Sequence, residues 1–432
     1  MISISKDANK NYLAKIVRLE GLKKHSNADK LQTVIIDFQT VITDMNAKDG
    51  DLYVFFPLEC QINFEFLAQN NSFRDKELNK DKTQSGFFEK NCRVRAMKLR
   101  GERSMGYIVP ISVVEKFTRD HLSDRVGKEF DTINDILLLK KYVTVVSQSQ
   151  QRFQGKKPRI SRLVENQYRL HIETENLKKN AFMIKPQDEI MLSYKLHGTS
   201  FIVGHVLGKK KLNIIEKTFK ILGIKILDTE YDYFYGSRKV VKNEFETKFK
   251  NDFYDGDLWL DIKDELKDKI PKGYTVYGEC VGYTKGGKYI QTQYDYGCAM
   301  GQKKCYVYRI THTNIDGYVV DLSTNQIREF CIKYGLNYIH VFFQGQAGEL
   351  YPELNPEEYW HEEFIKNLER DYTDKDCFMC KNKVAEEGIV LRKEGLFSFE
   401  AYKLKSFRFY EWETSQLDKE VTRLEDVTGF DN

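Results

Sequence analysis

The sequence is poor in proline, with seven residues in 432, which argues against long, stiff, proline-rich linkers. No run approaches the roughly 18 uncharged apolar residues that a bilayer-spanning helix needs. The opening stretch, MISISKDANKNYLAKIVRLEGLKKHSNADK, has no apolar signal core and carries charge throughout. These absences lead us to expect a soluble, cytoplasmic protein with no membrane partner. One-sided charge is also lacking: 68 Lys+Arg stand against 64 Asp+Glu, for a net +4. That near-balance still hides local basic stretches, so a nucleic-acid partner stays open. There is no Walker A sequence, no G-x-G-x-x-G and no repeat of fixed period. The eight cysteines are scattered, and only Cys377 and Cys380 stand at C-x-x-C spacing. A structural zinc site needs four ligands, and no second pair stands at finger or ribbon spacing. Reduced thiols are the expectation, with His340 and His361 leaving a metal at Cys377 and Cys380 an open question.

What is present in quantity is aromatic and charged residues. Aromatics at 13% exclude disorder of the whole chain, and 31% charged residues supply a well-solvated surface. The length suggests two or three domains. Residues 11–116 read as short strands (YLAKIVRL, KLQTVIIDF, DLYVFF, CRVRAMKL and GYIVPIS) separated by polar turns, a pattern that suits a small barrel. Residues 112–141 look partly helical, in SVVEKFTRDH and then NDILLLKKY. The polar, basic run SQSQQRFQGKKPRISRL reads as a linker. From about residue 166 strands and helices mix again. EIMLSYKL, SFIVGHVL, TVYGECVGYT, KCYVYRITH and GIVLRK read as strands, and KNEFETKFKNDFYDGDLWLDIKDELKD has helical spacing. The fold class expected is α+β, without the regular βαβ rhythm of a dinucleotide-binding sheet. The domains expected are 1–146, a linker at 147–165, and 166–432.

Several residues in the second domain suit phosphate chemistry. Lys195 in YKLHGTSF lies between an apolar strand-like run and a turn at Gly198, which leaves room for a phosphate to approach. A lysine is a nucleophile only when neutral, and neighbouring cations help to lower its pKa. Lys403 and Lys405 in YKLKSF share one face of a strand and could supply such cations and hold a phosphate. Glu279 in YGEC and Glu387 in EEGIVLR are carboxylates suited to a sugar hydroxyl or a divalent metal. Arg238 in GSRK is a forked donor for phosphate or ribose, and Tyr308 in YVYRI offers a ring for a purine. Each short motif alone is common. Their order along the chain is what carries weight.

That ordered set resembles the covalent nucleotidyltransferase superfamily of polynucleotide ligases and capping enzymes. KLHG is similar to the nucleophile motif, which implies that Lys195 carries AMP. His197 stands where the family more often has Asp, a change shared by some RNA ligases. The resemblance implies that Arg238, Glu279, Tyr308, His197 and Gly198 bind ATP, that Glu387 associates with metal, and that Lys403 and Lys405 act on the α-phosphate. The barrel-like segment precedes these motifs, and the tail after Lys405 is too short for a second barrel. This arrangement, with HSNADKL, RVRAMKLRGERSMGYIVP and YRLHIETENL, resembles the Deinococcus- and Naegleria-type ATP-dependent RNA ligases. Those combine an N-terminal OB domain with a C-terminal ligase domain.

The resemblance implies ATP and a divalent metal, Mg or Mn, as cofactors. It implies RNA with 3′-hydroxyl and 5′-phosphate ends, in a nicked or splinted duplex, as substrate, and we expect a monomer. KHSNADKLQTVII also resembles the opening of tRNA-binding OB modules. In CRVRAMKLRGER, Arg93 and Arg95 alternate with apolar residues, and Lys98, Arg100 and Arg103 follow. Alternation would put Arg93 and Arg95 on one sheet face that follows an RNA backbone. A solvated basic strand edge is the competing reading. A DNA ligase, a guanylyltransferase or an inactive RNA- or tRNA-binding protein are the alternatives left open here.

Overall fold

The computed structural model describes residues 1–143, 162–238, 240–242 and 257–418. The chain divides into two compact units. The first comprises Met1–Val143, Glu175–Ala181 and Tyr410–Lys419; the second comprises Thr144–Thr174, Phe182–Phe409 and Glu420–Asn432. Of the expected linker, residues 147–161 lie outside the described residues. Its last part is built into the second unit: the Arg162 guanidinium is buried, 2.5 Å from Asp232 and 2.8 Å from Glu230. Among the described residues no helix is long and apolar enough to cross a membrane.

The first unit is made of short antiparallel strands. Of β1 (Ala14–Arg18), β2 (Leu31–Ile36), β3 (Gln39–Asp44) and β4 (Leu52–Pro57), β2 and β3 alternate buried and more exposed side chains over much of their length, the period-2 pattern of half-buried strands, whereas β1 and β4 bury successive residues. The hairpin between β2 and β3 turns through Asp37 and Phe38, both at positive φ, and the Asp37 carboxylate receives a hydrogen bond from Lys15 at 2.6 Å. Val17, Val34, Ile36, Val41, Phe55 and Ile108 from these strands and from Gly106–Pro110 close one core. β5 (Met97–Leu99) and β6 (Glu102–Ser104) form a second hairpin with Lys98 opposite Arg103. Its tip, Arg100–Gly101, also has positive φ at both residues, as a two-residue type I′ turn requires. The motif HSNADKL serves this hairpin: buried His25 bonds through Nε2 to the Leu99 carbonyl at 3.0 Å.

Two expectations for this unit are corrected. NDILLLKKY is not helical. Asn134 and Asp135 adopt positive φ, a conformation a helix interior excludes, and so turn Thr132–Ile133 back onto the short strand Ile136–Leu137. SVVEKFTRDH is partly helical, as expected, through Ile111–Glu115. CRVRAMKL becomes strand only from Met97.

The second unit contains two antiparallel sheets. The smaller has the strand order β13 (Phe399–Lys405), β12 (Gly388–Glu394), β7 (Glu189–Tyr194), β11 (Val341–Gln346). The larger runs through Val241–Lys242, β9 (Thr229–Gly236), β8 (Thr199–Lys209), β10 (Tyr274–Gly282), Lys303–Thr313 and Val319–Asp321. The strand Asn337–Tyr338 pairs parallel with Tyr306–Val307. Helix α1 (Leu258–Leu266) is capped by the Asp257 side chain, which accepts from the Leu260 N–H. It packs Trp259, Ile262 and Leu266 against Phe201, Val203 and Val276 of the larger sheet. Helix α2 (Thr324–Tyr334), with a Ser323–Gln326 capping box, adds Ile327 and Phe330 to that core. Residues 243–256, the first part of the expected helical stretch, lie outside the described residues. Helices cover one face of the larger sheet; on the other, Ile202, Val206, Phe234 and Tyr277 pack with Leu163, Tyr168 and Leu170 beside the cleft.

Candidate active site

Strand alternation and one bulge decide which side chains enter the cleft of the second unit. Ser200 on β8 lies opposite Glu279 on β10, and the Ser200 hydroxyl donates to the Glu279 carboxylate at 3.2 Å. The register between β10 and Lys303–Thr313 slips: Tyr277 opposes Arg309, whereas Gly278 opposes Val307. Tyr308 is therefore an extra residue, and the bulge brings Tyr308 and Arg309 together to the cleft. The smaller sheet contributes Met191, Ser193, Val390, Arg392, Phe399 and Ala401. His171 lines the same cleft and bonds through Nδ1 to the Tyr308 hydroxyl at 2.8 Å. Burial, then the Glu279 charge, pushes the Tyr308 hydroxyl well above its ordinary pKa.

Lys195 follows the last residue of β7. Its backbone N–H donates to the Gly388 carbonyl at 2.9 Å. Two residues on, the His197 N–H donates to the Tyr296 hydroxyl at 2.7 Å. Gly198 is required here by backbone packing: a Cβ would stand 2.3 Å from the Cys280 carbonyl oxygen. Close approach of a neighbouring strand is a requirement on this glycine separate from phosphate access. Gly388 in the E-G motif answers to the same physics. It has φ +129°, and a Cβ would meet the Leu404 carbonyl oxygen at 2.1 Å.

The Lys195 ammonium lies 2.6 Å from Glu387 Oε1, and His197 Nδ1 lies 3.6 Å from Oε2. Burial raises the Glu387 pKa, but the Lys195 charge and the His197 hydrogen bond outweigh it and hold the carboxyl at about 2. The partner seen for Lys195 is therefore a carboxylate. The Lys405 charge acts on the same carboxylate, so Glu387 lies between cations.

The structure thus brings Lys195, Arg238, Glu279 and Tyr308 to one cleft, and ties His197 and Glu387 to Lys195. Lys403 and Lys405 do not line the cleft, yet they share a strand face with Phe399 and Ala401, which do. Lys403 stands opposite Val390 and Lys405 opposite Gly388, and the Lys405 charge also helps to lower the Glu387 pKa.

Sequence reading assigned no role to His171, Ser200, Arg309, Arg392 or Phe399. Arg309 and Arg392 lie inside the quoted motifs YVYRI and EGIVLR, but nothing in either string shows that they are buried. Arg309 binds Asp321 through two nitrogens at 2.6 and 3.2 Å. Arg392 is 3% exposed and stacks 4.0 Å over Phe399. Its Nη2 donates to the Leu322 carbonyl at 2.7 Å, while Nη1 is buried with no hydrogen-bond acceptor. The guanidinium is also ion-paired, with Nε 2.9 Å from Glu394.

The basic residues of the first unit separate. Lys98, Arg100 and Arg103 are exposed on the β5–β6 hairpin. Arg93 is 3% exposed, donates to the Thr414 carbonyl at 3.2 Å and lies over the Tyr142 ring. Arg95 is 3.8 Å from Glu89 and largely covered. The open face expected for Arg93 and Arg95 does not form, because residues 92–96 are not strand. Among the described residues no cluster of three His, Cys, Asp or Glu side chains could hold a metal ion. The eight cysteines are all free thiols. The Cys380 thiol's hydrogen bond, opposed by burial, lowers the Cys377 pKa to about 6.

Comparison with known proteins agrees with this layout. The RNA ligase family model matches residues 188–407, and an OB-fold domain model matches residues 13–111. No curated protein matches the chain. Among solved structures, the Naegleria gruberi RNA ligase as a lysine-to-methionine mutant with AMP and Mn is similar at TM-score 0.57 and 15% identity, over 93% of this chain and 98% of that one. The same ligase as a lysine-to-alanine mutant with ATP and Mn gives 0.55 and 15%, over 96% and 99%. At such identity the structural likeness speaks to the fold, an N-terminal OB-fold domain followed by a nucleotidyltransferase domain in an α+β protein. The family match spans just over half of the sequence, and on that ground the chain belongs to the RNA ligase family.

Proposed function

We propose that this enzyme uses ATP to join RNA 3′-hydroxyl and 5′-phosphate ends, with Lys195 as the residue that carries AMP. The observation that carries the reading is the Lys195–Glu387 pair at 2.6 Å in a cleft that also holds Arg238, Glu279 and Tyr308. Neutral Lys195 attacks the α-phosphorus of ATP, a P–N bond forms, and pyrophosphate leaves. The RNA 5′-phosphate then takes AMP from the lysine. The 3′-hydroxyl attacks that 5′ phosphorus, the phosphodiester forms, and AMP departs. The protein mainly positions groups and offsets charge.

Tyr308 stacks on the base, Glu279 takes the ribose, and Arg238 takes ribose or phosphate. Lys403 and Lys405 face the α-phosphate from β13. Glu387 is a single buried carboxylate held ionised, which suits a divalent ion that completes its shell with water and phosphate oxygens. Mg or Mn there would offset phosphate charge and weaken the hold of Glu387 on the Lys195 proton. ATP and Mn in the Naegleria structures support this choice of cofactors. We take the substrate to be a nicked or splinted duplex, with Lys98, Arg100 and Arg103 following its backbone.

Mass spectrometry after mixing with ATP and magnesium tests the reading. One AMP adduct on Lys195, absent in Lys195→Ala and not formed with GTP, is the expected result. An adduct on another residue, or labelling by GTP alone, rejects it.

A further inference from the structure

Beside the nucleotide cleft lies a second concavity, a groove of about 900 Å³. Ile339 lines both. Next to it the Tyr338 hydroxyl, on the groove side, donates to the sulfur of Met191, on the cleft side, at 3.2 Å. The two concavities therefore share one thin wall. The far side of the groove is β11, an outer strand of the smaller sheet. At its upper end the His340 carbonyl accepts from the Tyr194 N–H at 2.9 Å. This places exposed His340 beside the residue that precedes the Lys195 nucleophile.

The chemistry of the groove differs from that of a phosphate track. Its walls carry half-buried aromatic rings, Tyr306, Tyr338, Phe342 and Phe343. Its rim carries exposed amide and guanidinium groups held in a chain. Arg328 donates to the Gln344 carbonyl oxygen at 2.6 Å, and the Gln344 amide donates to Asn325 at 2.8 Å. Holding these groups in place beforehand reduces the entropy lost on binding. Arg328 is offset by Glu189 on the same groove, so the lining carries no excess of positive charge. Duplex RNA is gripped mainly through phosphates and 2′-hydroxyls, whereas unpaired bases stack on aromatic rings and are read by polar side chains.

We propose that this groove binds unpaired RNA bases next to the ends being joined. The inference rests on the RNA-sealing reading and adds that a splinted junction carrying unpaired nucleotides in its flank binds more tightly than the same junction without them. The double variant Arg328→Ala/Gln344→Ala in the full chain is the test. Its KM for an RNA with unpaired flanking nucleotides rises roughly tenfold, its KM for a fully paired nick stays unchanged, and AMP attachment to Lys195 proceeds as in the parent. An unchanged KM for the flanked RNA overturns the proposal.

Photocrosslinking supplies a second arm that is independent of folding in the variant. RNA carrying 4-thiouridine in the unpaired flank, mixed with the unaltered protein, crosslinks within residues 325–345. Crosslinks confined to other segments overturn the proposal, as they would if the open edge of β11 receives a protein strand instead. Loss of the Lys195 adduct in the unaltered protein would reject the sealing reading, while the crosslink map would still decide what the groove binds.

Discussion

Glu386 and Glu387 are chemically identical neighbours with opposite behaviour. Glu387 is surrounded by Lys195 and His197, and its carboxyl is held at about 2 despite burial. Glu386 accepts from the Lys375 N–H at 3.1 Å, but burial prevails and pushes it up to about 7. Each shift has a sign in stability. A lowered carboxyl pKa stabilises the fold above the unfolded value and loses that contribution as pH falls toward about 2. A raised one does the reverse, and stability declines as pH climbs from the unfolded value to about 7. Denaturant unfolding should therefore find Glu386→Gln more stable than the parent above pH 7, by on the order of 1 kcal/mol, with sealing retained. Glu387→Gln should lose sealing and flatten the acid limb of the stability profile. Equal pH profiles for both variants would show that the two carboxyls do not differ in this way.

At the scale of elements, the bulge at Tyr308 and the glycine turn after Lys195 set the shape of the cleft. Tyr308→Phe keeps the ring and loses the hydroxyl's bonds to His171 and Ser200, so steady-state kinetics should show a small change in the KM for ATP. Tyr308→Ala removes the stacking surface and should raise that KM about tenfold or more. Arg309 is a different case, although it is the next residue. It is buried against Asp321, so Arg309→Met leaves an unpaired carboxylate and should destabilise the unit by roughly 3–5 kcal/mol, read as an earlier denaturant midpoint. Gly198→Ala drives a Cβ into the Cys280 carbonyl. It should lower thermal stability through backbone crowding, whereas Lys195→Ala should abolish the AMP adduct and also cost stability at neutral pH, because buried Glu387 loses the ammonium 2.6 Å away.

For the whole molecule, the chain order and the compact units do not coincide. The first unit draws in Glu175–Ala181 and Tyr410–Lys419 as well as its N-terminal stretch. Arg93, for example, bonds to Thr414. Cutting the chain near residue 140 would strip these segments of their packing, so point substitutions report on the barrel more cleanly than truncation. Replacing Lys98, Arg100 and Arg103 together by alanine should leave AMP transfer to Lys195 intact and weaken RNA binding at low salt. Each lost phosphate contact should make the salt dependence of that binding shallower by about one. A salt slope equal to that of the parent would exclude this hairpin from the RNA path.

The residue types that chemistry demands, and their order along the chain, are linear properties. That Lys195, Arg238, Glu279 and Tyr308 are candidates for one cleft was therefore legible in the sequence, as were the strands of both units with clear period-2 alternation. What was not legible depends on which distant segments meet. Whether an arginine is solvated, like Arg100, or buried, like Arg392 beside Leu322 and Phe399, is decided by neighbours tens of residues apart or on another strand. The same holds for the opposite pKa shifts of two adjacent glutamates and for the carboxylate partner of Lys195. Burial and charge act through space, and only the tertiary structure brings those groups within reach of one another.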